Sequence, residues 1–539
     1  MRPSIACANC RAKKVKCVVD REGVSCHYCS VRKTSCSYVR KSAWEIAPGT
    51  PSAAPDRGFI VRPGFDSGSS HPSPNYRLTD DEGKIDIGLG RPQDVLRERE
   101  LAQSLLLLYF DHFADVHFMF DEELFLRQFL LGEAPEVLLY SIMALSIRFS
   151  HAPFQDESAP CNRGELFFDH ARQLLEPNFD SPSITNAQAL VLLSTYKITY
   201  GGSRQAYVLL SLAVTMMQVL RLDEQQEPDT VSTELNRRLV CTVLLMDQLL
   251  SLPLRLPTLL PDDFPIPSTM GEDEFWALKH RTQAQAPLES NHGRIYNLLV
   301  QLSRIIHEIG LVYRNGGSIT ELERSKTELD VVFSTLNSYY RYDTANLIAN
   351  KDRGTLRRFA FLHLLYHHAG QLVTFCSLRG LEKSVCEPFC HPEWEGHCYE
   401  HAQSITGIIQ YTFEQAGFDL HNLQMGQILT VATIVHAHAR MKASSRHDIE
   451  RLGIEIATLQ NCVDRLKVRT RMYNWVIEHL EGFWEAFNQN HECPGEIFDQ
   501  NSRLVSEVLC IGSQWGTMSL RAAGTKSQAL VLNVIGFSR

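Results

Sequence analysis

The sequence predicts a small cysteine-rich head, a flexible linker and a large all-α body along 539 residues. Three observations support this prediction. Six cysteines repeat at fixed spacing within residues 7–36, prolines and glycines crowd residues 42–93, and apolar residues recur at three- and four-residue spacing from Leu96 onward. Because a single core rarely exceeds about 250–300 residues, the chain contains several modules or one large helical array.

Charge is distributed unevenly between the head and the rest of the chain. Residues 1–41 contain ten Lys or Arg residues and two acidic residues, a net charge of +8, which leaves −17 for the remainder of a chain whose net charge is −9. A basic head on an acidic body predicts a polyanionic partner for the head. A disordered basic tail would not require six cysteines.

The N-terminal sequence MRPSIACANC lacks the apolar region of a secretory signal, so we expect a reducing compartment. The longest apolar stretch, residues 206–220, has 15 residues and includes Ser211, Thr215 and Gln218. A membrane-spanning helix needs about 20 apolar residues. The stretch therefore predicts a buried helix, and we expect no transmembrane segment and no membrane partner.

The head is an internal repeat with the spacing C-x2-C-x6-C-x8-C-x2-C-x6-C, and its two halves are 19 residues apart. Disulfides are not expected in a reducing compartment, whereas repeated C-x2-C pairs are a strong zinc signal. One tetrahedral zinc would leave two cysteines unused, but six sulfurs can supply two zinc ions if two of them bridge the metals. The predicted zinc ligands are Cys7, Cys10, Cys17, Cys26, Cys29 and Cys36.

This stretch resembles the fungal zinc binuclear cluster, the six-cysteine DNA-binding module of fungal transcription factors. The resemblance implies a short helix after each C-x2-C pair, the first of which enters the major groove of DNA. The family usually has a proline between the third and fourth cysteines, and Gly23 is the turn residue of that loop here. The resemblance also implies that Cys7 and Cys26 bridge the two ions, that Cys10 and Cys17 complete one site, and that Cys29 and Cys36 complete the other.

The resemblance assigns two roles to the basic residues of the head. Lys14, helped by Lys13, matches the positions that read a CGG-type triplet. Guanine presents its O6 and N7 acceptors in the major groove, where a Lys ammonium can donate to both. Contacts to DNA phosphates, which set register and affinity, are expected from Arg11, Lys16, Arg32 and Lys33.

Residues 42–93 contain seven prolines and seven glycines, a composition that cannot propagate a helix and is typical of a linker. Many family members carry a short coiled coil after the cluster, which pairs two modules on DNA. This linker contains no heptad run. Binding as a monomer and dimerisation through the later domain therefore both stay open.

Helical periodicity predicts an all-α body over residues 94–500, followed by a C-terminal tail at 501–539. The body contains no convincing run of alternating strand residues. Two capping boxes are predicted, one at Thr185 with Gln188 and one at Ser318 with Glu321. The pair Gly201-Gly202 is predicted to end one helix before the next begins.

The body resembles the middle homology region of fungal zinc-cluster regulators. Arg237, Arg238 and Asp247 match its Arg-Arg…Asp pattern, although Val240 and Cys241 stand where an aromatic residue usually follows the arginine pair. The resemblance implies a helical regulatory domain that receives partners or signals, and it assigns no function to individual residues. The similar stretches are residues 182–222 and 234–268, within a resemblance that is clear over residues 95–300.

Other groups of metal-ligating residue types are less specific. His363 and His367 lie four residues apart on a predicted helix, but Leu364 replaces the Glu of a zinc-protease helix, which favours a structural role. His436 and His438 would point to opposite sides of a helix, which is poor geometry for one ion. In CEPFCHPEWEGHC a second metal site competes with buried thiols as the interpretation, and its candidate ligands are Cys386, Cys390, His391, His397 and Cys398.

The sequence contains no phosphate-cradling glycine loop, nucleophile elbow or supported pair of carboxylates, so we do not expect an enzyme. The resemblance implies a zinc-dependent, sequence-specific transcription regulator of the RNA polymerase II type, located in the nucleus and controlling a metabolic or biosynthetic gene set. The expected cofactor is Zn²⁺, two ions per chain. The expected partners are double-stranded DNA, a second copy or partner regulator, and the transcription machinery.

Two alternatives are weighed against this function. The first is a chromosome-associated structural protein that uses the same zinc cluster to bind DNA. The second is a helical enzyme or small-molecule sensor that carries a DNA-binding head.

Overall fold

The computed structural model describes residues 92–151, 159–224, 230–280, 295–378, 391–422 and 424–473, all within the unit Ile85–Arg539. These residues form helices joined by turns and loops and contain no strand, which confirms the all-α prediction for the body. None of the described helices combines the length and apolar character needed to cross a membrane. The predicted zinc-cluster head (1–41), nearly all of the linker and the C-terminal tail (501–539) lie outside the described residues.

The first half of the described chain is a series of helices packed largely against their neighbours in sequence. The first helix begins at Pro92, two residues before the predicted start of the body. Proline suits a first helical position because the N–H that it lacks would have no partner there. The helices are α1 (Pro92–Arg97), α2 (Arg99–Phe113), α3 (Glu122–Leu131), α4 (Glu136–Ser146), α5 (Glu165–Leu175), α6 (Ile184–Tyr200), α7 (Ser203–Val219) and α8 (Val231–Leu254).

The second half continues the series with helices of similar length. A π-helical turn, Tyr411–Gln415, directly follows α14, the sixth helix of this half. The helices are α9 (Glu272–His280), α10 (Ile295–Asn315), α11 (Ile319–Ser334), α12 (Thr344–Asp352), α13 (Leu356–Thr374), α14 (Pro392–Gln410), α15 (Met425–Lys442) and α16 (Arg446–Arg469).

One continuous apolar core connects the two halves, from Val95 in α1 to Met472 after α16. Helix α8 packs against α7 and α10, α10 packs against α13, and α13 packs against α14, with α15 and α16 following. Helix α8 is buried along nearly its whole length, so it occupies the centre of the array.

The end of the helical array bonds back to its beginning. Arg469 Nη1 donates to the carbonyl oxygen of Arg148 at 2.6 Å. The next residue, Thr470, donates its hydroxyl to the carbonyl oxygen of Thr199 at 2.7 Å. Both acceptors lie more than 250 positions earlier in the chain, so these bonds hold the first and second halves together.

Two of the predicted helix boundaries are confirmed. Gly201 ends α6 with a positive φ of 95°, a conformation that glycine adopts without a steric penalty. At the start of α11, the backbone N–H of Ser318 donates to the carboxylate of Glu321 at 2.6 Å, and a capping box is present.

The capping box predicted at Thr185 and Gln188 is wrong. The residue that caps α6 is Ser183, whose side chain accepts a hydrogen bond from the N–H of Asn186 at 3.1 Å. Thr185 lies inside the first helical turn, and Gln188 donates instead to the carbonyl oxygen of Met119. The prediction placed the cap two residues too late. Ser and Thr are both common capping residues, so the sequence does not distinguish Ser183 from Thr185.

The apolar stretch at residues 206–220 is helical, as predicted, but only one face of it is buried. Val208 and Val219 on α7 are 59% and 61% exposed. The predicted buried helix is therefore buried along one face, and composition does not show which face another helix covers. The fully buried residues on the opposite face include Ala206, Leu210, Ala213 and Met217.

The structure gives a role to Asp247 of the Arg-Arg…Asp pattern. Its carboxylate is fully buried and accepts hydrogen bonds from the backbone N–H of Leu259 at 2.9 Å and of Leu260 at 3.0 Å. The hydroxyl of Ser251 donates to the same carboxylate at 2.9 Å. Burial raises the pKa of Asp247, and these hydrogen bonds oppose that shift. Asp247 therefore anchors the loop that follows α8.

Replacing Asp247 with Ala is expected to lower the free energy of unfolding by about 2–4 kcal/mol, because two backbone N–H groups lose their acceptor. Urea denaturation of the full chain measures this change. Asp263→Ala is the matched control, since Asp263 lies in the same loop and is exposed, and its change should stay within about 0.5 kcal/mol. Equal losses in both variants would contradict the anchoring role.

Candidate functional site

The predicted zinc-cluster site lies outside the described residues, so its geometry stays a prediction. The same is true of Cys386 and Cys390 in the second cysteine- and histidine-containing stretch. The predicted residues outside the described part are the zinc ligands Cys7, Cys10, Cys17, Cys26, Cys29 and Cys36, the base contacts Lys13 and Lys14, and the phosphate contacts Arg11, Lys16, Arg32 and Lys33.

The described members of the second stretch have different surroundings. His391 Nε2 lies 2.8 Å from Glu323 Oε1 at the surface, whereas Cys398 is fully buried and donates its Sγ–H to the carbonyl oxygen of Gln371 at 3.6 Å. Burial raises the pKa of Cys398 to about 12, so its thiol is protonated at neutral pH. Among the described residues, no three metal-ligating side chains come together. His397, on α14, therefore joins no such group.

The histidines of α13 have separate structural partners, as predicted. His363 Nε2 is 2.9 Å from the carbonyl oxygen of Tyr340, and His367 Nδ1 is 3.0 Å from His401 Nδ1. Burial lowers the pKa of His363 to about 4, so this side chain is neutral at physiological pH. Each imidazole fills a different position in the helix packing, and the two have different hydrogen-bond partners.

The two histidines of the HAH sequence on α15 also bond separately. His436 Nε2 lies 2.9 Å from the hydroxyl of Thr406, and its Nδ1 lies 3.2 Å from Glu455 Oε2. His438 Nδ1 lies 2.8 Å from the hydroxyl of Tyr399. The prediction that they would not chelate one ion agrees with these contacts.

A charged cavity of ≈ 430 Å³ lies among α2, α3, α8, α9 and the loop that leads into α13. Residues 111–122 contribute carboxylates to its lining, which we call the acidic wall, and residues 351–358 together with α8 contribute cations, which we call the basic wall. The lining is mixed in charge, because Glu272 also belongs to it and Asp115 interacts electrostatically with Arg357 and Arg358. The acidic wall contains Asp111, Asp115, Asp121 and Glu122, and the basic wall contains Arg238, Lys351, Arg357 and Arg358. We call this space the charged cavity.

The arginines of the basic wall are held by a buried ionic network. Arg238 is only 3% exposed, and its Nε donates to Glu234 Oε1 at 2.7 Å, one helical turn away. Arg358 Nη1 donates to Glu272 Oε1 at 2.7 Å, and the hydroxyl of Tyr296 donates to the same carboxylate oxygen. Burial alone would raise the pKa of Glu272, but Arg358 and Arg238 hold it below its usual value.

Some donors of this network stay unused. Arg238 Nη2 and Arg358 Nε are buried and have no hydrogen-bond partner among the described residues. Both side chains line the charged cavity. Buried polar groups are nearly always hydrogen-bonded, so these two atoms are exceptions among the described residues.

The acidic wall contains an equally unusual carboxylate. Asp115 is 2% exposed, and its Oδ1 has no hydrogen-bond partner among the described residues. Burial raises the pKa of Asp115 to about 6, although Arg357 and Arg358 favour its charged form. At pH 7.5 this carboxylate is therefore mostly ionised, buried and incompletely bonded.

The first turn of α13 forms part of the basic wall. Residues 354–358 line the cavity, and the first N–H groups of any α-helix have no intrahelical acceptor. Thr355 precedes the helix but does not cap it, because its hydroxyl donates to Asn350 Oδ1 at 2.8 Å. The helix N-terminus therefore adds hydrogen-bond donors and positive potential to this wall.

The sequence identified one residue of the charged cavity and missed the others. Arg238 belongs to the Arg-Arg…Asp pattern, but that pattern assigns it no role. The remaining signals are weak: Asp111 near the end of α2 and Asp115 in the turn after it are spaced by four residues, and Arg357 and Arg358 form a common basic pair. Only packing brings these segments to one place.

Comparison with known proteins finds similarity to transcription regulators. Residues 106–345 match the family described as the fungal specific transcription factor domain. This match confirms the resemblance predicted for the body and extends it beyond residue 300. The matched family is a transcription-factor domain and not an enzyme, in agreement with the sequence prediction.

Several proteins named as transcription factors or transcriptional regulators are similar to this chain at low sequence identity. It is 20% identical over 429 residues to the Zn(2)-C6 fungal-type transcription factor FTF1c of Fusarium oxysporum f. sp. lycopersici, covering 72% of this chain and 46% of that protein. It is 19% identical to FTF2 of the same organism, covering 89% and 53%. An uncharacterized transcriptional regulatory protein of Schizosaccharomyces pombe is 27% identical over 238 residues, covering 41% and 33%. The chain thus spans about half the length of the Fusarium relatives.

Asp115→Asn is expected to stabilise the domain at neutral pH. The pKa of Asp115 in the folded protein, about 6, exceeds its ordinary value of 3.8, so folding takes up a proton and stability is lost as the pH rises from about 4 to about 6. The variant should gain about 1–3 kcal/mol in free energy of unfolding at pH 7.5 and almost nothing near pH 4.

Urea denaturation of both proteins across pH 4.5–7.5 measures this difference. Asp111→Asn, an exposed neighbour on the same wall, is the control and should change stability by no more than about 0.5 kcal/mol. A less stable Asp115→Asn protein at pH 7.5 would show that the carboxylate is favourably bonded in the folded state.

Proposed function

We propose that this chain is a zinc-dependent, sequence-specific DNA-binding regulator of transcription by RNA polymerase II that acts in the nucleus. The proposal rests on two features that occur together in one chain, a six-cysteine head and a body that matches a transcription-factor domain. The head has the six-cysteine repeat within residues 7–36, and residues 106–345 of the body match the fungal specific transcription factor domain. Relatives named as Zn(2)-C6 fungal-type transcription factors support the same conclusion.

The charge of the head suits it to bind DNA. Six thiolates and two Zn²⁺ ions together carry −2, so a head with a net charge of +8 keeps about +6 when it is loaded with metal. Each phosphate contact releases condensed counterions, and binding therefore weakens steeply as salt rises. The metal also supplies much of the folding free energy of so small a module.

The two halves of the head differ in charge, which supports a division of labour between them. In the proposal, Lys14 and Lys13 of the first half read a CGG-like triplet through the guanine acceptors of the major groove. One triplet offers few base contacts, so specificity also requires a second copy or a partner regulator that reads a nearby site. The residues proposed to hold phosphates are Arg11, Lys16, Arg32 and Lys33.

The body serves as the regulatory part in this proposal. It has an extended apolar core of its own, and its acidic charge makes it a poor ligand for DNA. It would present surfaces to the transcription machinery and control the output of a metabolic or biosynthetic gene set.

The full chain is expected to hold two zinc ions. Because Cys7 and Cys26 are the proposed bridging ligands, Cys7→Ser or Cys26→Ser should reduce zinc to less than about one ion per chain and abolish specific DNA binding. Metal analysis of the purified protein measures the stoichiometry. Cys161→Ala, a change in the helical body, is the matched control and should keep both ions; a single zinc in the unaltered chain would contradict the bridged cluster.

Lys14→Ala and Arg32→Ala are expected to act differently on DNA binding. Lys14→Ala should cost about 1–3 kcal/mol on a duplex with the CGG triplet and little on one with a changed triplet. Arg32→Ala should weaken both duplexes alike and reduce the slope of the salt dependence by about one. Fluorescence anisotropy with the full chain at fixed salt measures both effects.

Equal losses from the two variants on both duplexes would show that the assignment of base and phosphate contacts is wrong. A reporter gene behind the triplet tests regulation itself, and its output should change with the wild-type chain and less with Lys14→Ala. A chain that binds the triplet but leaves the reporter unchanged would favour a structural role on chromosomes.

A further inference from the structure

The exposed face of α7 is apolar and uncharged. Residues 205–219 contain no charged side chain, although the solvent face of a surface helix ordinarily carries charges. Val208 and Val219 are more than half exposed, and Thr215 between them is exposed as well. Together with the half-buried Leu212 they follow one another at intervals of four, three and four residues, the spacing of a seam between two packed helices. We call Val208, Leu212, Thr215 and Val219 the α7 stripe.

The hydroxyl groups on this face already have partners within the helix. The hydroxyl of Thr215 donates to the carbonyl oxygen of Ser211 at 2.9 Å, and the hydroxyl of Ser211 donates to the carbonyl oxygen of Val208 at 2.7 Å. A hydroxyl that is bonded to its own helix can be covered by another protein surface without losing its partner. The α7 stripe can therefore be buried in a helix–helix contact without leaving these groups unbonded.

The two ends of α7 carry opposite charges. Arg204 is exposed in the first turn, and Asp223 lies in the turn that follows the helix. Neither forms an ion pair within the described part of the chain, whereas Arg221 and Glu224 pair with each other at 3.4 Å. An antiparallel neighbour with the same two ends would place a cation beside a carboxylate at both ends of the contact.

The sequence of α7 is complementary to itself in this antiparallel orientation. Three pairs of positions share one midpoint along the chain, between Ala213 and Val214, so a single twofold axis brings all of them together. Two pairs join members of the α7 stripe, and the third joins the opposite charges at the ends. The pairs are Arg204 with Asp223, Val208 with Val219, and Leu212 with Thr215.

This self-complementarity identifies a second copy of the chain as the partner. We propose that two copies associate through the α7 stripe as an antiparallel, twofold-symmetric pair, with Arg204 of each copy beside Asp223 of the other. The pair goes beyond DNA recognition, because it forms without DNA. In the proposed function it supplies the second copy that reads a nearby site.

One helix from each copy forms a small interface. Standard protein interfaces bury about 1,600 Å² in total, and weak, transient ones bury less than about 1,200 Å². Each copy contributes a helix of 17 residues, of which only the exposed face is available. We therefore expect reversible association with a dissociation constant on the order of 10 µM.

Sedimentation velocity of the full chain without DNA, at about 1–100 µM, tests the proposal. We expect a monomer at the lowest concentration and a dimer at the highest. Cys26→Ser, the variant proposed to lose zinc from the head, should associate as the wild type does. This variant separates association through α7 from the proposed function of the head.

Val208→Glu and Val219→Glu each introduce two charges into the pair, because both copies carry the altered residue. Each variant should raise the dissociation constant at least about tenfold. Since both positions are exposed, the urea midpoint of the monomer should change little. Ile454→Glu is the matched control, because Ile454 is similarly exposed but lies on α16, and its dissociation constant should equal that of the wild type.

Reversal of the end charges tests the orientation of the pair. Arg204→Glu and Asp223→Arg each place like charges together and should weaken association at least about threefold. The double variant restores opposite charges and should associate within about twofold of the wild type.

Several outcomes would overturn the proposal. They are a chain that stays monomeric at about 100 µM, a pair that both glutamate variants leave intact, and single charge variants that match the wild type. Absence of recovery in the double variant would also overturn it. Loss of the pair in Cys26→Ser would do the same, because association would then reside in the head.

Discussion

The buried guanidinium of Arg238 is the constraint on which the centre of the domain depends. A charge that is only 3% exposed requires partners, and they come from separate elements: Glu234 from its own helix, Tyr296 from α10 and Glu272 from α9. Arg358 of α13 shares the Glu272 carboxylate. Removing one partner of such a network leaves an uncompensated buried charge, which is costly. One ionic cluster therefore fixes the relative positions of four helices.

The same network borders the charged cavity. Arg238, Glu272 and Arg358, whose directional bonds join α8, α9 and α13, all line it. Buried ion pairs contribute little to net stability, and the ionised Asp115 lowers it at neutral pH. Groups that cost stability and line a cavity are typical of binding sites, where stability is lost in exchange for recognition.

The chain combines two sources of stability in separate places. In the proposed function the head depends on metal, because about 40 residues cannot bury enough apolar surface to fold alone. The body depends on one long apolar core, closed by the bonds of Arg469 and Thr470 to the first half. The net charges are also opposite, +8 for residues 1–41 and −17 for the rest of the chain, so in the proposed function DNA would attract the head and repel the remainder.

The sequence by itself determined the features that depend on local chemistry. Helical periodicity predicted the all-α body, Gly201 ended a helix because it tolerates positive φ, and cysteine spacing predicted zinc because one ion needs thiolates close together in the chain. These signals extend over a few residues. The capping residue of α6 was misplaced by two positions because neighbouring residues offered the same local chemistry.

Only the tertiary structure decided which distant residues share a site. Asp115 and Arg358 are more than 200 positions apart, Asp115 in the turn after α2 and Arg358 in the first turn of α13. Likewise, the sequence of α7 could not show that Val208 would face solvent. The burial and bonding of a side chain depend on the helix that packs against it, and that partner is selected by the whole core. The charged cavity is therefore a property of packing, whereas the helices around it are a property of the sequence.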